Sequence, residues 1–236
     1  MTFPKSIRRW LPLLLVTGLV GISVAARSGE AHPTTLRALY GVKPLDTLAA
    51  AKTAVVLVDF QREFVDGGLP LPGAPAAVSR ARALADWAHH QGVLVVLVRQ
   101  VAHKPGALLF AAGAESTNLV PELQPLAGDL LVEKALGGAL SQTSLHESLH
   151  ARGIDTLVVG GFMTHLAVQM TASDALVLGY RVIVVGDATA TRALPGARGE
   201  AGIDARLLQR AALDSMADRV ADVMLVHDVL ALTVNR

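Results

Sequence analysis

The chain has 236 residues, which suits one α/β domain with an N-terminal extension. Apolar residues make up 52% of it and aromatic residues only 4%, so its core must be built from Ala, Val and Leu. The formal net charge is +1, and no basic segment interleaved with aromatic residues points to nucleic acid as a partner. There is no cysteine, which excludes disulfides and any mechanism that uses a thiolate nucleophile.

The N-terminus has the pattern of an export signal. A basic start precedes an apolar run over residues 11–26, and the small residues at its end predict cleavage after Ala25 or Ala26. The run is shorter than the roughly 20 residues that a transmembrane helix needs. An uncleaved anchor formed by residues 10–26 is the alternative. We therefore predict an exported, periplasmic or other extracytoplasmic protein that meets a membrane only through this segment. Without residues 1–26, the remaining 18 basic and 20 acidic residues give a net charge of −2.

After a polar spacer over residues 27–50, apolar runs alternate with helical patterns. Short continuous apolar runs are typical of buried parallel strands. We predict six such strands, over residues 54–58, 93–98, 130–132, 156–159, 182–185 and 223–226. We predict four helices, over residues 75–91, 141–152, 164–178 and 201–217, and the first three of these end at glycines. This alternation predicts one domain over residues 51–236, with a parallel sheet and helices on both of its faces.

Three candidate site segments follow predicted strands. Asp59 follows the first strand, Glu133 and Lys134 follow the third, and a glycine-rich turn at residues 160–163 follows the fourth. Ligands bind beyond the carboxyl ends of the strands in open parallel sheets, so these segments should share one edge. Burial should raise the pKa of Asp59, and a neighbouring Lys134 should lower it. A carboxyl group balanced in this way can act as an acid or base near neutral pH, although a structural ion pair is the alternative.

These motifs, in this order, resemble the isochorismatase-like or cysteine-hydrolase superfamily, which includes nicotinamidases, N-carbamoyl amidohydrolases and isochorismatases. Asp59, Gln61 and Phe64 match the catalytic-aspartate motif, and Lys134 matches the catalytic lysine. The resemblance covers about residues 50–228. It implies the isochorismatase-like hydrolase fold, an α/β three-layer Rossmann-like arrangement with a six-stranded, mostly parallel sheet. It also implies a small-molecule substrate and a homo-oligomer.

In most members of this superfamily, the position of Ala167 is occupied by the nucleophilic cysteine. The resemblance implies a cis peptide at Phe162–Met163 and an oxyanion hole formed by the backbone amides of Met163 and Ala167. Thr164 begins the helix that follows, and the four residues together form the predicted substrate-binding turn. Backbone amides at a helix start favour negative charge and survive side-chain changes, so we expect an anion-binding pocket to persist.

The remaining polar residues near the predicted site have simpler interpretations. His165 could carry a proton or merely face solvent at the helix start, and we interpret His103 as a solvent-facing loop residue. The turn over residues 187–192 is expected to be structural. The segments after the first two strands lack the Asp and His spacing of metal-binding relatives, so we predict neither a metal nor a cofactor. Leu140 stands where relatives often carry phenylalanine, which sets the substrate pocket apart from the family pattern.

Two functions fit this pattern. True isochorismatases of the superfamily lack the cysteine and cleave a vinyl ether: an aspartic acid protonates the enol carbon and water then adds. Here Asp59 would be the acid, Lys134 its electrostatic partner, and Ala167 would leave space for substrate. The alternative is a catalytically silent protein of the cell envelope that keeps the pocket to bind a small molecule. The export signal argues against isochorismate itself, a cytoplasmic intermediate, so the substrate stays open.

Overall fold

The computed structural model describes residues 34–235, where a six-stranded parallel sheet is covered by helices on both faces. The predicted export signal or anchor over residues 1–26 lies outside the described residues. No helix within residues 34–235 is both long enough and apolar enough to cross a bilayer.

The strands occur in the predicted alternation with helices. They are β1 (Thr47–Ala49), β2 (Thr53–Val58), β3 (Leu94–Gln100), β4 (Leu130–Lys134), β5 (Thr156–Phe162), β6 (Arg181–Ala190), β7 (Asp222–Met224) and β8 (Thr233–Asn235). The helices are α1 (Leu36–Leu39), α2 (Ala74–Gln91), α3 (Leu145–His150), α4 (Gln169–Val177), α5 (Ala205–Arg219) and α6 (Val226–Leu230). The main sheet has the order β4-β3-β2-β5-β6-β7 with every pair parallel, and β1 pairs with β8 separately. The predicted fold class is confirmed.

The sheet separates two hydrophobic layers because successive strand residues point to opposite faces. In β2, Val55 and Leu57 pack with α2 and α6, whereas Val56 and Val58 pack with α3, α4 and α5. Each residue of β2 is buried, as expected for a central parallel strand. The first residue after β2 therefore emerges at the middle of the sheet edge, between both layers.

Several element boundaries differ from the sequence prediction for identifiable local reasons. β5 and β6 run farther than predicted, to Phe162 and Ala190, where they still pair with each other. α5 begins at Ala205 rather than at residue 201, because the Asp204 carboxylate accepts the backbone N–H of Leu207 and caps the helix. The last predicted strand, residues 223–226, ends at Met224, and α6 follows it.

The described part of the predicted spacer over residues 27–50 contains α1 and β1. Residues 34–50 belong to the same compact unit as the domain. Arg37 forms an ion pair with Asp222 of β7 at 2.5 Å, and the backbone N–H of Leu45 donates to the same carboxylate. The domain therefore begins before residue 51, held by contacts that join residues far apart in the chain.

Candidate active site

Two of the predicted site residues meet at the carboxyl edge of the sheet. Asp59 directly follows β2, and Lys134 ends β4, with β3 lying between these strands. The Asp59 Oδ2 atom lies 2.7 Å from the Lys134 Nζ atom, and the two side chains are only 2% and 1% exposed. The parallel sheet thus brings together two charged groups that are 75 positions apart in sequence and excludes water from both.

The backbone of Asp59 turns sharply out of the sheet. Its N–H still donates to the Val98 carbonyl oxygen at 2.8 Å, as the next rung of the ladder, but its φ of +56° is in the left-handed region. Non-glycine residues adopt this region infrequently, and such residues cluster at functional sites. The turn directs the carboxylate of Asp59 toward Lys134 instead of along the sheet.

The ionisation of Asp59 is set by two opposed effects. Burial raises the pKa of its carboxyl, and the charge and hydrogen bond of Lys134 lower it. The rise is the larger effect, so the net pKa is about 6, above the ordinary value of 3.8. The Oδ1 atom is buried and has no hydrogen-bond partner among the described residues. A buried polar atom without a partner is rare in folded proteins and calls for an explanation. Asp59 therefore holds one oxygen on Lys134 and keeps the other available, with a pKa suited to proton transfer near neutral pH.

The turn after β5 is shaped for close backbone approach. Gly161 faces Val58 of β2, and a side chain at this position would place its Cβ only 2.2 Å from the Val58 carbonyl oxygen. The peptide between Phe162 and Met163 is cis, as the resemblance implied. The Phe162 ring is fully buried against Phe60, with the centroids 4.7 Å apart. The Phe162 side chain therefore belongs to the core, which leaves its backbone as the part available to a ligand.

Ala167 lies in an unusually wound helical turn. Residues Thr164–Val168 form a π-helix, where a regular α-helix was predicted, and π-turns are frequent at functional sites. The Ala167 carbonyl oxygen accepts from the Thr171 hydroxyl, whose oxygen in turn accepts the backbone N–H of Ala139, in the segment after Lys134. The Ala167 turn and the Lys134 segment are thus tied together through one buried threonine.

The segment after Lys134 packs tightly on α4. A side chain at Gly138 would place its Cβ 2.8 Å from the backbone nitrogen of Thr171. Leu140, at the position where relatives often have phenylalanine, is buried in the same hydrophobic cluster as Ala167. The structure therefore uses this departure from the family pattern for packing next to the site.

The other predicted site residues have partners of their own. The Thr164 hydroxyl donates to Gln209 Oε1 at 2.6 Å and is fully buried. A ring nitrogen of His165 is hydrogen-bonded to the Thr191 hydroxyl, and His165 is half-buried. Burial lowers the pKa of His165, with a smaller contribution from the Arg192 charge, and both effects favour the neutral ring. Thr164 therefore joins the turn after β5 to α5, and His165 joins it to the residue that follows β6.

Two further residues complete the comparison with the sequence prediction. His103 is exposed, in agreement with its interpretation as a loop residue. Arg192 was expected to be structural, yet its Nε atom is buried without a hydrogen-bond partner among residues 34–235. Arg192 lies just after the end of β6, and its charge acts on His165. In the sequence, its position directly after a strand is the feature that could have suggested a role at this edge of the sheet.

Known proteins resemble this chain over most of its length. It is 29% identical over 197 residues to a secreted isochorismatase effector of Verticillium dahliae, covering 83% of this chain and 99% of that protein. It is 30% identical over 202 residues to streptothricin hydrolase of Streptomyces noursei, covering 84% of this chain and 79% of that protein. The solved structure of an isochorismatase from Pseudomonas putida superposes with a TM-score of 0.75 at 32% identity, covering 83% and 98% of the two chains. The isochorismatase domain family matches residues 53–228, and this chain therefore belongs to the isochorismatase family of hydrolases.

Proposed function

We propose that this protein hydrolyses a small molecule by acid catalysis from Asp59, without a covalent intermediate. The observation that carries the proposal is the Asp59 carboxyl: it is buried, its pKa is raised to about 6, and its Oδ1 atom has no partner among the described residues. The chain has no cysteine, so the thioester route of the cysteine-bearing relatives is closed to it. A reaction that needs only a proton donor and water suits these residues best.

A vinyl ether is the substrate class most compatible with this chemistry. Protonated Asp59 gives its proton to the enol carbon, and the carbon attached to the ether oxygen becomes an oxocarbenium ion. Water adds to that carbon, and Asp59 recovers a proton from the added water. The resulting hemiketal breaks its carbon–oxygen bond to release an alcohol and a ketone. Lys134, at 2.7 Å, stabilises the carboxylate that exists between the two proton transfers.

The turn after β5 supplies the other parts of the proposed site. Ala167 is small and leaves room where a cysteine side chain would stand, and the amides of Met163 and Ala167 are the proposed donors to an anionic group of the substrate. Arg192, whose buried Nε atom has no hydrogen-bond partner in the described part of the chain, adds a positive charge at this edge. Together these groups favour a substrate that carries a negative charge.

Resemblance to a secreted isochorismatase effector supports both the substrate class and export. The basic start and apolar run of residues 1–26 support export independently. We therefore propose that the protein is exported from the cytoplasm. Mass spectrometry of the chain purified from its native host should find an N-terminus just after Ala25 or Ala26. An intact Met1 in the soluble cytoplasmic fraction would contradict export, and an intact Met1 in membranes would indicate an anchor.

A catalytically silent binding protein is the second candidate, and one observation favours it. Asp59 and Lys134 are almost completely buried, and Ala167 is only 6% exposed, so the side chains at the centre of the site make little contact with solvent. A protein that only binds its ligand needs no contact between these side chains and the ligand, whereas an acid catalyst must reach its substrate.

The two candidates are separated by assaying the full chain against vinyl ethers, amides and esters, with Asp59→Asn as the control. Hydrolysis that Asp59→Asn abolishes supports the proposed function. Binding without turnover, in both proteins, supports the silent alternative. Ala167→Cys tests the site from the other side: an acid–base pair and nearby amides are already present, so the variant should gain amidase or esterase activity that the parent lacks.

A further inference from the structure

The Gln61 side chain lies close to the Asp59–Lys134 pair in sequence and structure, and both its nitrogen and its oxygen are hydrogen-bonded. The proposed reaction does not use this side chain. It is fully buried. The Nε2 atom donates to the carbonyl oxygens of Gln100 and Thr117, at 2.9 and 2.6 Å, and the Oε1 atom accepts the Gln100 backbone N–H at 2.8 Å. Both N–H bonds and the carbonyl oxygen of this amide are therefore satisfied, which fixes its orientation.

The Gln61 side chain makes the hydrogen bonds to β3 that a longer β2 would make with its backbone. The ladder between β2 and β3 ends with the pair Val58 and Val98, because the chain turns away at Asp59. β3 nevertheless continues for two more residues, to Gln100. There, the amide of Gln61 bonds to both the N–H and the carbonyl oxygen of Gln100, as a neighbouring strand would. Gln61 thus allows Asp59 to leave the sheet while the end of β3 stays in place.

The end of β3 in turn contacts Lys134. Gln100 is the register partner of Lys134 in the β3–β4 pair. The Gln100 Oε1 atom lies 3.4 Å from the Lys134 Nζ atom, whose other acceptor is the Asp59 carboxylate at 2.7 Å. The Lys134 ammonium group therefore lies between two oxygens, the Oδ2 atom of Asp59 and the Oε1 atom of Gln100.

We propose that Gln61 is a positioning residue: by fixing the backbone of Gln100 it places the Gln100 side chain, which holds the Lys134 ammonium against Asp59. Among residues 34–235, Lys134 supplies the charge that acts on Asp59, so the position of its ammonium group controls how readily Asp59 ionises. The consequence for turnover rests on the proposed function, whereas the effect on ionisation does not.

The test follows the Asp59 carboxyl directly in the full chain labelled with ¹³C-aspartate. Its resonance is assigned by its absence in Asp59→Asn and is titrated between pH 4 and 9. Gln61→Met and Gln100→Met, alone and together, are compared with the parent. Gln124→Met is the matched control, because the Gln124 amide also donates to two backbone carbonyls, those of Leu119 and Val120, without contacting Gln100.

Each single variant should move the Asp59 titration midpoint to higher pH, by about 0.5–1 pH unit, since a displaced Lys134 favours the carboxylate less. The double variant should move it no farther than the larger single change, because both substitutions break one chain of contacts. Gln124→Met should leave the midpoint unchanged. Where turnover is measurable, the pH at which kcat falls should also move upward in each single variant, and KM should change little.

Additive displacements in the double variant would overturn the proposal, and so would an unchanged midpoint in Gln61→Met. If Gln61→Met does not fold, Gln100→Met decides alone: it keeps the backbone pairing, and an unchanged midpoint there would show that the Gln100 side chain does not act on the pair. A parent protein without turnover would count against the proposed function and leave this titration fully informative.

Discussion

Two buried carboxylates lie four positions apart at the same edge of the sheet, and they have opposite surroundings. Asp59 and Glu63 are 1% and 2% exposed. Glu63 accepts three hydrogen bonds, from the backbone N–H groups of Gly68 and Phe110 and from the Ser116 hydroxyl, and both of its oxygens are used. Asp59 forms one ion pair, and its second oxygen has no hydrogen-bond partner within residues 34–235. The two residues are equally buried, and they differ in how many of their carboxylate oxygens have a hydrogen-bond partner.

The difference has a physical cause. Glu63 replaces the water it loses with fixed donors from two separate loops, so its charge is compensated and it ties those loops together. Asp59 is compensated on one side only, and burial therefore raises its pKa to about 6. An uncompensated oxygen costs free energy that a purely structural residue would not need to carry. Glu63 therefore stabilises the fold, whereas the surroundings of Asp59 suit the proton transfer that we propose for it.

The largest expected effect comes from removing the acid. Asp59→Asn keeps the shape of the side chain but has no acidic proton to transfer, so turnover should fall by about 10³-fold, within the range of general acid–base contributions. The matched control is Glu63→Gln, which changes the other buried carboxylate and should keep turnover close to the parent value. Steady-state kinetics on both variants measure this. Equal losses in the two variants would remove the distinction between the carboxylates.

Removing the partner charge should have the next largest effect. A general acid must be protonated, so in the parent kcat/KM should be level below about pH 6 and fall as the pH rises through the pKa of Asp59. Lys134→Ala should lower the plateau on the order of a hundredfold. It should also move the fall to higher pH, because the charge that lowers the pKa of Asp59 is gone. A profile that rises with pH through 6 would instead identify Asp59 as a base.

How much of this site the sequence predicts depends on the range of the contacts. Asp59 and Lys134 could be found because each lies within two residues of the end of a short apolar run, and parallel strands bring such positions to one edge. The cis turn was implied by the resemblance to the family, and that resemblance rested on the motifs around Asp59, Lys134 and the glycine-rich turn, taken in order. Each of these signals lies within a few residues of the group it identifies.

The features that escaped prediction depend on distant partners. Arg37 is positioned by Asp222, 185 residues away, so the described part of the predicted spacer gave no local sign of structure. Gln61 could be matched to a motif, but its bonds to Gln100 and Thr117 appear only once β3 and the loop after it are in place. The π-helix at Ala167 depends on packing that periodicity does not encode. Sequence reasoning identified the charged groups but not the neutral side chains that hold them.

A stability measurement tests the other half of the comparison. Glu63→Gln replaces one acceptor oxygen with an NH₂ group that meets existing donors, so the free energy of unfolding should fall by about 1–3 kcal/mol. Urea unfolding at pH 7 with a fixed slope measures the change. Gln124→Ala, which removes an amide from a more exposed position, should cost less. A Glu63→Gln protein as stable as the parent would mean that the three hydrogen bonds contribute nothing net to the fold.

The smallest expected effect is the response to thiol reagents, and here the parent should show none. The chain has no sulfur nucleophile, so iodoacetamide should neither add mass to it nor change its turnover. Ala167→Cys places a thiol at the nucleophile position beside the Asp59–Lys134 pair. A thiolate stabilised there should react with iodoacetamide, and the variant should then lose any amidase activity that it has gained. Intact mass spectrometry before and after treatment reads both proteins. A mass increase in the parent that is absent from Asp59→Asn would reveal a different nucleophile at the same edge, and the Asp59 carboxylate, whose Oδ1 atom has no partner among the described residues, would be its first candidate.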